Sequence, residues 1–123
     1  LEGARGIRLL DYDASERNNH QYVVIEVDPT ECGVDRDGLV DVLHENGVVA
    51  RRYFWPGVHR MKPYRDEQPN ARLLLPNTER IARRVVVLPT GQQVQSSDIE
   101  QVCDLIRTSA SADVDRSRVT KAA

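Results

Sequence analysis

A chain of 123 residues, 40% hydrophobic and 29% charged, has the material for one globular domain with a single core and is too short for two. Its formal net charge of −2 argues against a nucleic-acid protein whose affinity comes from phosphate contacts. No apolar run approaches the roughly 18 residues of a membrane span, and no signal-peptide pattern opens the chain.

Leu1–Asp11 mixes glycines with Ile7, Leu9 and Leu10 and reads as a lead-in followed by a short strand. A chain that opens on Leu1 rather than methionine is expected to have had something before it. Tyr12–His20 is polar throughout and predicts a loop or hairpin crossing. Gln21–Val27 is the strongest strand, because β-branched and aromatic residues dominate it; Val23, Ile25 and Val27 share one side, Tyr22, Val24 and Glu26 the other. Asp28-Pro29 ends it, and Thr30–Gly33 is expected as a turn.

Asp35 is placed to cap a helix running to about Asn46, in which Leu39, Val42 and Leu43 fall at i, i+3, i+4 and give one apolar stripe. Gly47 suits the position that closes it. A strand is expected from Val48 to Tyr53, broken by Pro56-Gly57, since proline has no N–H and glycine favours turn angles. Arg65–Asn70 is polar and predicted mobile. Leu73–Leu75 is apolar and stops at Pro76, after which Asn77 is expected to cap a short helix, Thr78–Arg84, with Ile81 inward. Val85–Leu88 reads as a buried strand closed by Pro89-Thr90-Gly91. Ser97 with Glu100 makes a capping box for a helix whose stripe is Ile99, Val102, Cys103 and Ile106. Residues 1–108 are thus expected to form the domain and 109–123 a disordered tail. This order predicts an α/β (α+β) fold: a small, about three-stranded sheet with helices on one face, leaving the second face for a larger neighbour.

Most catalytic templates are missing. Gly3-Ala4-Arg5-Gly6 lacks phosphate-loop spacing, and the histidines, His20, His44 and His59, are in no metal register. His44, near a helix end, reads as structural and His20 as solvated. Cys32 and Cys103 have no CxxC spacing and are expected to be inert thiols in a reducing cytoplasm. The basic residues are lopsided, fifteen arginines against Lys62 and Lys121. Arginine suits bidentate phosphate or carboxylate binding, though codon bias produces the same imbalance.

The stretch Val48–Tyr64 stands apart. It holds four of the six aromatic residues (Tyr53, Phe54, Trp55 and Tyr64) with Arg51, Arg52, His59 and Lys62. A strand delivering aromatic, cationic and imidazole groups into a turn is a common way to present a ligand-contacting loop. The alternative is an aromatic strand packed in the core with its arginines splayed to solvent.

These residues carry a resemblance. Tyr22–Asp28, then Arg36-Asp37 opening a helix, then Gly47–Pro56 with His59 and Tyr64, then Thr78-Glu79-Arg80, Ala82 and Val87-Leu88-Pro89 before an amphipathic helix, resemble the C-terminal part of the DegT/DnrJ/EryC1/StrS family of pyridoxal-phosphate-dependent sugar aminotransferases. The match runs from about Leu1 to Arg107, and the run Ala50–Pro56 is most similar to members acting on nucleotide-linked 4-keto-6-deoxyhexoses. The resemblance implies a small C-terminal domain that closes over substrate beside a larger, N-terminal cofactor-bearing domain, in a cytoplasmic homodimer that moves an amino group from glutamate to a keto-sugar. It further implies that His59, Tyr53, Phe54 and Arg52 contact the nucleotide-linked sugar. No segment resembles the family's Schiff-base lysine region, so no catalytic or cofactor-binding residue is carried over and the chain alone is expected to be inactive, with pyridoxal phosphate bound mainly by the missing domain. A free-standing ligand-sensing or oligomerising α/β module is the other reading of the same residues, and a remnant that only pairs with a full-length subunit a third.

Overall fold

The computed structural model describes residues 1–111. In chain order the elements are β1 (Ile7–Leu9), β2 (Val23–Val27), α1 (Pro29–Cys32), α2 (Arg36–Glu45), a 3-10 turn (Val58–Arg60), α3 (Tyr64–Glu67), α4 (Ala71–Leu74), α5 (Pro76–Ala82), β3 (Val85–Leu88) and α6 (Ser96–Ser111). The sheet is antiparallel throughout in the order β1-β2-β3, with Ile7 opposite Val27 and Ile25 opposite Val86. It is the small three-stranded α/β arrangement that the alternation of strand and helix signals predicted.

Side chains alternate across the sheet, and this divides the molecule into two faces. Ile25, Val27, Val86 and Leu88 point to one face and form the core with Leu39, Val40 and Leu43 of α2 and Ile106 and Ala110 of α6. The opposite face carries Arg8, Glu26 and Val87. There the nearly buried carboxylate of Glu26 is met by Arg8 at 2.6 Å, Arg80 at 3.1 Å and Arg84 at 3.9 Å. Opposite charges at that range make its near burial tolerable, and they tie α5 to the sheet.

α2 starts where Asp35 accepts from the Gly38 N–H at 2.8 Å, and Gly47 follows it at φ 78°, a left-handed angle that costs glycine little. Arg36 at its first position is only 2% exposed. It donates to the carbonyls of Ala82 and Val85 at 3.0 and 3.3 Å, reaches Asp37 at 2.8 Å, and lies 4.9 Å from the Trp55 ring centre. One buried guanidinium thus fastens the end of α5 to the start of α2 and holds the aromatic segment against both. His44 reads as structural here too: its Nε2 donates to the Ala50 carbonyl at 2.7 Å.

Several local expectations change. The strand expected from Val48 to Tyr53 shrinks to a single bridge, Arg51 opposite Val87. In that register the next rung on one side would set Val49 opposite Pro89, which has no N–H to give, and on the other side the chain turns away, Arg52 O accepting from Trp55 N–H. Asn77 does not cap α5, which begins at Pro76 with no side-chain cap, and Leu73 and Leu74 belong to the short helix α4. The polar stretch from Arg65 begins within α3. α6 begins at Ser96, and the carboxylate that reaches back is Asp98, accepting from the Gln95 N–H at 2.9 Å, rather than the Ser97–Glu100 pair. Residues 109–111 continue α6, with Ala110 buried; the rest of the expected tail lies outside the described residues.

Candidate functional site

After its single rung on the sheet the chain leaves at Tyr53 and turns through Pro56 to Gly57, whose φ of 95° and ψ of 146° suit glycine alone. The 3-10 turn that follows drops His59 against α5. A Cβ at Gly57 would come within 2.8 Å of Cε1 and 2.9 Å of Nδ1 of the imidazole, so the ring rests on the bare glycine backbone.

Beneath the ring is Glu79 on α5. His59 Nε2 is 2.9 Å from Glu79 Oε1; Arg60 grips both carboxylate oxygens at 2.6 and 2.5 Å, and Arg83 adds a contact at 3.1 Å. Arg60, then His59, hold the Glu79 carboxyl down at about 2, well under its ordinary 4.5. An ionised carboxylate only accepts, so Nε2 is the donor in this contact. The side chains of His59 and Glu79 are only 8% and 13% exposed.

Above this cluster opens a cavity of about 870 Å³. Its walls are mostly apolar, from Phe54, Val58, Tyr64, Leu75 and Ile81, with Tyr53 and His59 among its polar groups. Tyr53 and Phe54 are stacked with ring centres 5.2 Å apart, and Tyr22 meets Tyr53 edge-on at 6.0 Å. Such a pocket, large and apolar with a few placed polar groups, is a common form of small-molecule site. Its rim is exposed: Phe54 is 70% accessible and Tyr64 52%.

The structure therefore brings Tyr53, Phe54 and His59 into one cavity. Arg52 is not with them: its guanidinium lies 2.8 Å from Asp37 and 3.0 Å from Asp41 on α2. The neighbouring cations are also engaged, Arg51 by the Tyr53 hydroxyl at 2.6 Å and Arg60 by Glu79. A second cleft, about 760 Å³, lies between Trp55, α2 and α5 and is rich in arginines, but Arg80, Arg83 and Arg84 there already face Glu26, Glu79 and Asp28. Lys62 is outside the cavity, 3.4 Å from Asp66 in solvent, and Lys121 lies outside the described residues. Among the described residues no cluster of side chains is arranged to hold a metal ion, and no helix is long and apolar enough to cross a membrane. Cys32 is buried, which raises its thiol above the ordinary range and suppresses its reactivity.

Glu79 is the residue that sequence reasoning passed over as chemistry. Its partners His59 and Arg60 lie 20 and 19 positions away, so only the fold brings them together. The one local signal was Arg83 at i+4.

Comparison with known proteins adds the following. Residues 1–107 match the model of the DegT/DnrJ/EryC1/StrS aminotransferase family. The chain is similar to DesI, whose structure was determined in the presence of its TDP-sugar product, with 41% identity and a TM-score of 0.82 over 98% of this chain and 30% of that one. It is also similar in fold to TlmJ, an aminotransferase from Streptoalloteichus hindustanus, with 24% identity and a TM-score of 0.67 over 87% of this chain and 27% of that one. The chain thus spans about 30% of the length of the DesI chain.

Proposed function

This chain belongs to the DegT/DnrJ/EryC1/StrS aminotransferase family, and from that premise we propose that it is the small, substrate-closing domain of a nucleotide-sugar aminotransferase. The parent enzyme would move an amino group from glutamate to a TDP-linked 4-keto-6-deoxyhexose, in a cytoplasmic homodimer. In this reading residues 1–108 are the domain and the exposed rim of Phe54, Tyr64 and Leu75 meets the larger body. His59 would hydrogen-bond the sugar, and Tyr53 and Phe54 would give it an apolar wall that keeps water out.

Pyridoxal phosphate, when bound in the parent, supplies an electron sink for the transfer. The residues here do not make its site. A Schiff base needs an amine, and no lysine lines the cavity, Lys62 being 72% exposed and turned to Asp66. Cofactor attachment is accordingly assigned to the rest of the parent.

The observation that carries the proposal is the near-buried His59 at the base of an apolar cavity, with exposed apolar side chains at its rim. The test is to assay this chain and its parent side by side with glutamate and a TDP-linked 4-keto-6-deoxyhexose, after adding pyridoxal phosphate. The parent should form the amino-sugar and show the cofactor absorption band; this chain should do neither. A parent that leaves the keto-sugar unchanged refutes the proposal.

A further inference from the structure

We infer that Glu79 is a positioning residue that decides which nitrogen of His59 meets a ligand: Nε2 is committed as a donor to Glu79, and Nδ1 is the acceptor left for the cavity. The inference rests on the reading of that cavity as a sugar site and makes it more specific.

Nε2 of His59 lies 2.9 Å from Glu79 Oε1. An ionised carboxylate has only lone pairs to offer, so the ring proton in that contact must sit on Nε2. In the neutral imidazole the other nitrogen is then an acceptor. Nδ1 has no hydrogen-bond partner among the described residues. Nor is it sealed in, since Nδ1 is not among the fully buried side-chain nitrogens and oxygens of the described residues that lack a hydrogen-bond partner. The ring also has little room to turn over. Gly57 packs under Cε1 and Nδ1 closely enough that even a Cβ would intrude, and Arg60 and Arg83 hold Glu79 in place from the far side.

The chemical consequence is selective. An open Nδ1 lone pair welcomes a hydroxyl or amine of the ligand. It meets the oxygens of a diphosphate lone pair to lone pair, whereas the Glu79 charge behind it is already matched by Arg60 and Arg83. The group seated at His59 is therefore a donor on the sugar ring, and the phosphates lie elsewhere.

The tautomer can be read directly. Ring-15N-histidine is incorporated into the full-length polypeptide, and the His59 signals are assigned by their loss in His59→Asn. At pH 7.5 the unaltered protein should show a protonated Nε2 and a bare Nδ1. In Glu79→Gln the amide oxygen is best kept at the Oε2 position, where Arg60 and Arg83 both donate, at the loss of the Arg60 Nε contact to the other position; the NH2 then turns toward His59 and should move the ring proton to Nδ1. Arg83→Gln, which removes one brace and leaves the carboxylate, should keep the original tautomer. Affinity for a TDP-deoxyhexose should fall about tenfold in Glu79→Gln while affinity for TDP alone stays unchanged. A ring protonated on Nδ1, or on both nitrogens, in the unaltered protein overturns the inference, as does a Glu79→Gln variant that loses TDP and TDP-sugar equally. An unaltered protein with the expected tautomer that binds no TDP-sugar refutes the sugar-site reading and leaves the tautomer assignment intact.

Discussion

Replacing Gly57 by alanine strains the backbone and displaces the imidazole in one step. The φ of 95° with ψ of 146° belongs to a region that side chains avoid, at a cost of about 1–3 kcal/mol. The new methyl would also stand 2.8 Å from Cε1 and 2.9 Å from Nδ1 of His59, about 0.7 Å inside ordinary van der Waals contact. The ring must retreat by that distance, and a 2.9 Å contact to Glu79 lengthened so far leaves hydrogen-bonding range. For a chain of this size, with roughly 4 °C of melting temperature per kcal/mol, the backbone strain alone lowers Tm by about 4–12 °C. Thermal unfolding followed by circular dichroism measures this, and the 15N signals of His59 report whether its bond to Glu79 survives. An alanine variant that melts with the parent sequence and keeps the His59 signals in place would refute the reasoning, because backbone and ring would both have absorbed a side chain that the geometry leaves no room for.

Two further outcomes follow from the same contacts. The folded Glu79 carboxyl is held down to about 2 against 4.5, so its contribution to stability is complete above about pH 4.5 and drains away as the pH falls toward 2; Glu79→Gln should flatten that acid limb in urea titrations at stepped pH, and an unchanged limb would count against the pairing. Arg36→Met keeps the bulk but leaves the Ala82 and Val85 carbonyls without their donor, which should cost about 1–3 kcal/mol, read as a lower urea midpoint at constant m; a midpoint that does not move would show that water or the backbone satisfies them instead.

What could be read in the sequence was whatever is decided within a few residues. The Asp35 cap, the Leu39-Leu43 stripe and Gly47 fix α2 locally, and the β-branched runs fix β2 and β3. The strand at Val48 failed because only Arg51 meets β3: in that register Val49 would face Pro89, which has no N–H, and the chain turns off at Arg52, a pairing no period reveals. The cap at Asn77 failed because Pro76 already fits the first helical turn. The same divide runs through the site. The clustering of Tyr53, Phe54 and His59 was legible because they are close in sequence, and the sequence also suggested Arg52 by proximity alone. Asp37 and Asp41 draw that arginine away, and Glu79 enters from another helix; both are long-range electrostatic choices made by the fold.

The most direct test of the account is the Michaelis constant of the intact parent for its nucleotide sugar with and without the His59 side chain. His59→Ala should raise it by about tenfold or more through the lost hydrogen bond to the sugar. An alanine variant whose Michaelis constant and turnover equal those of the unaltered enzyme would contradict the placement of substrate in this cavity.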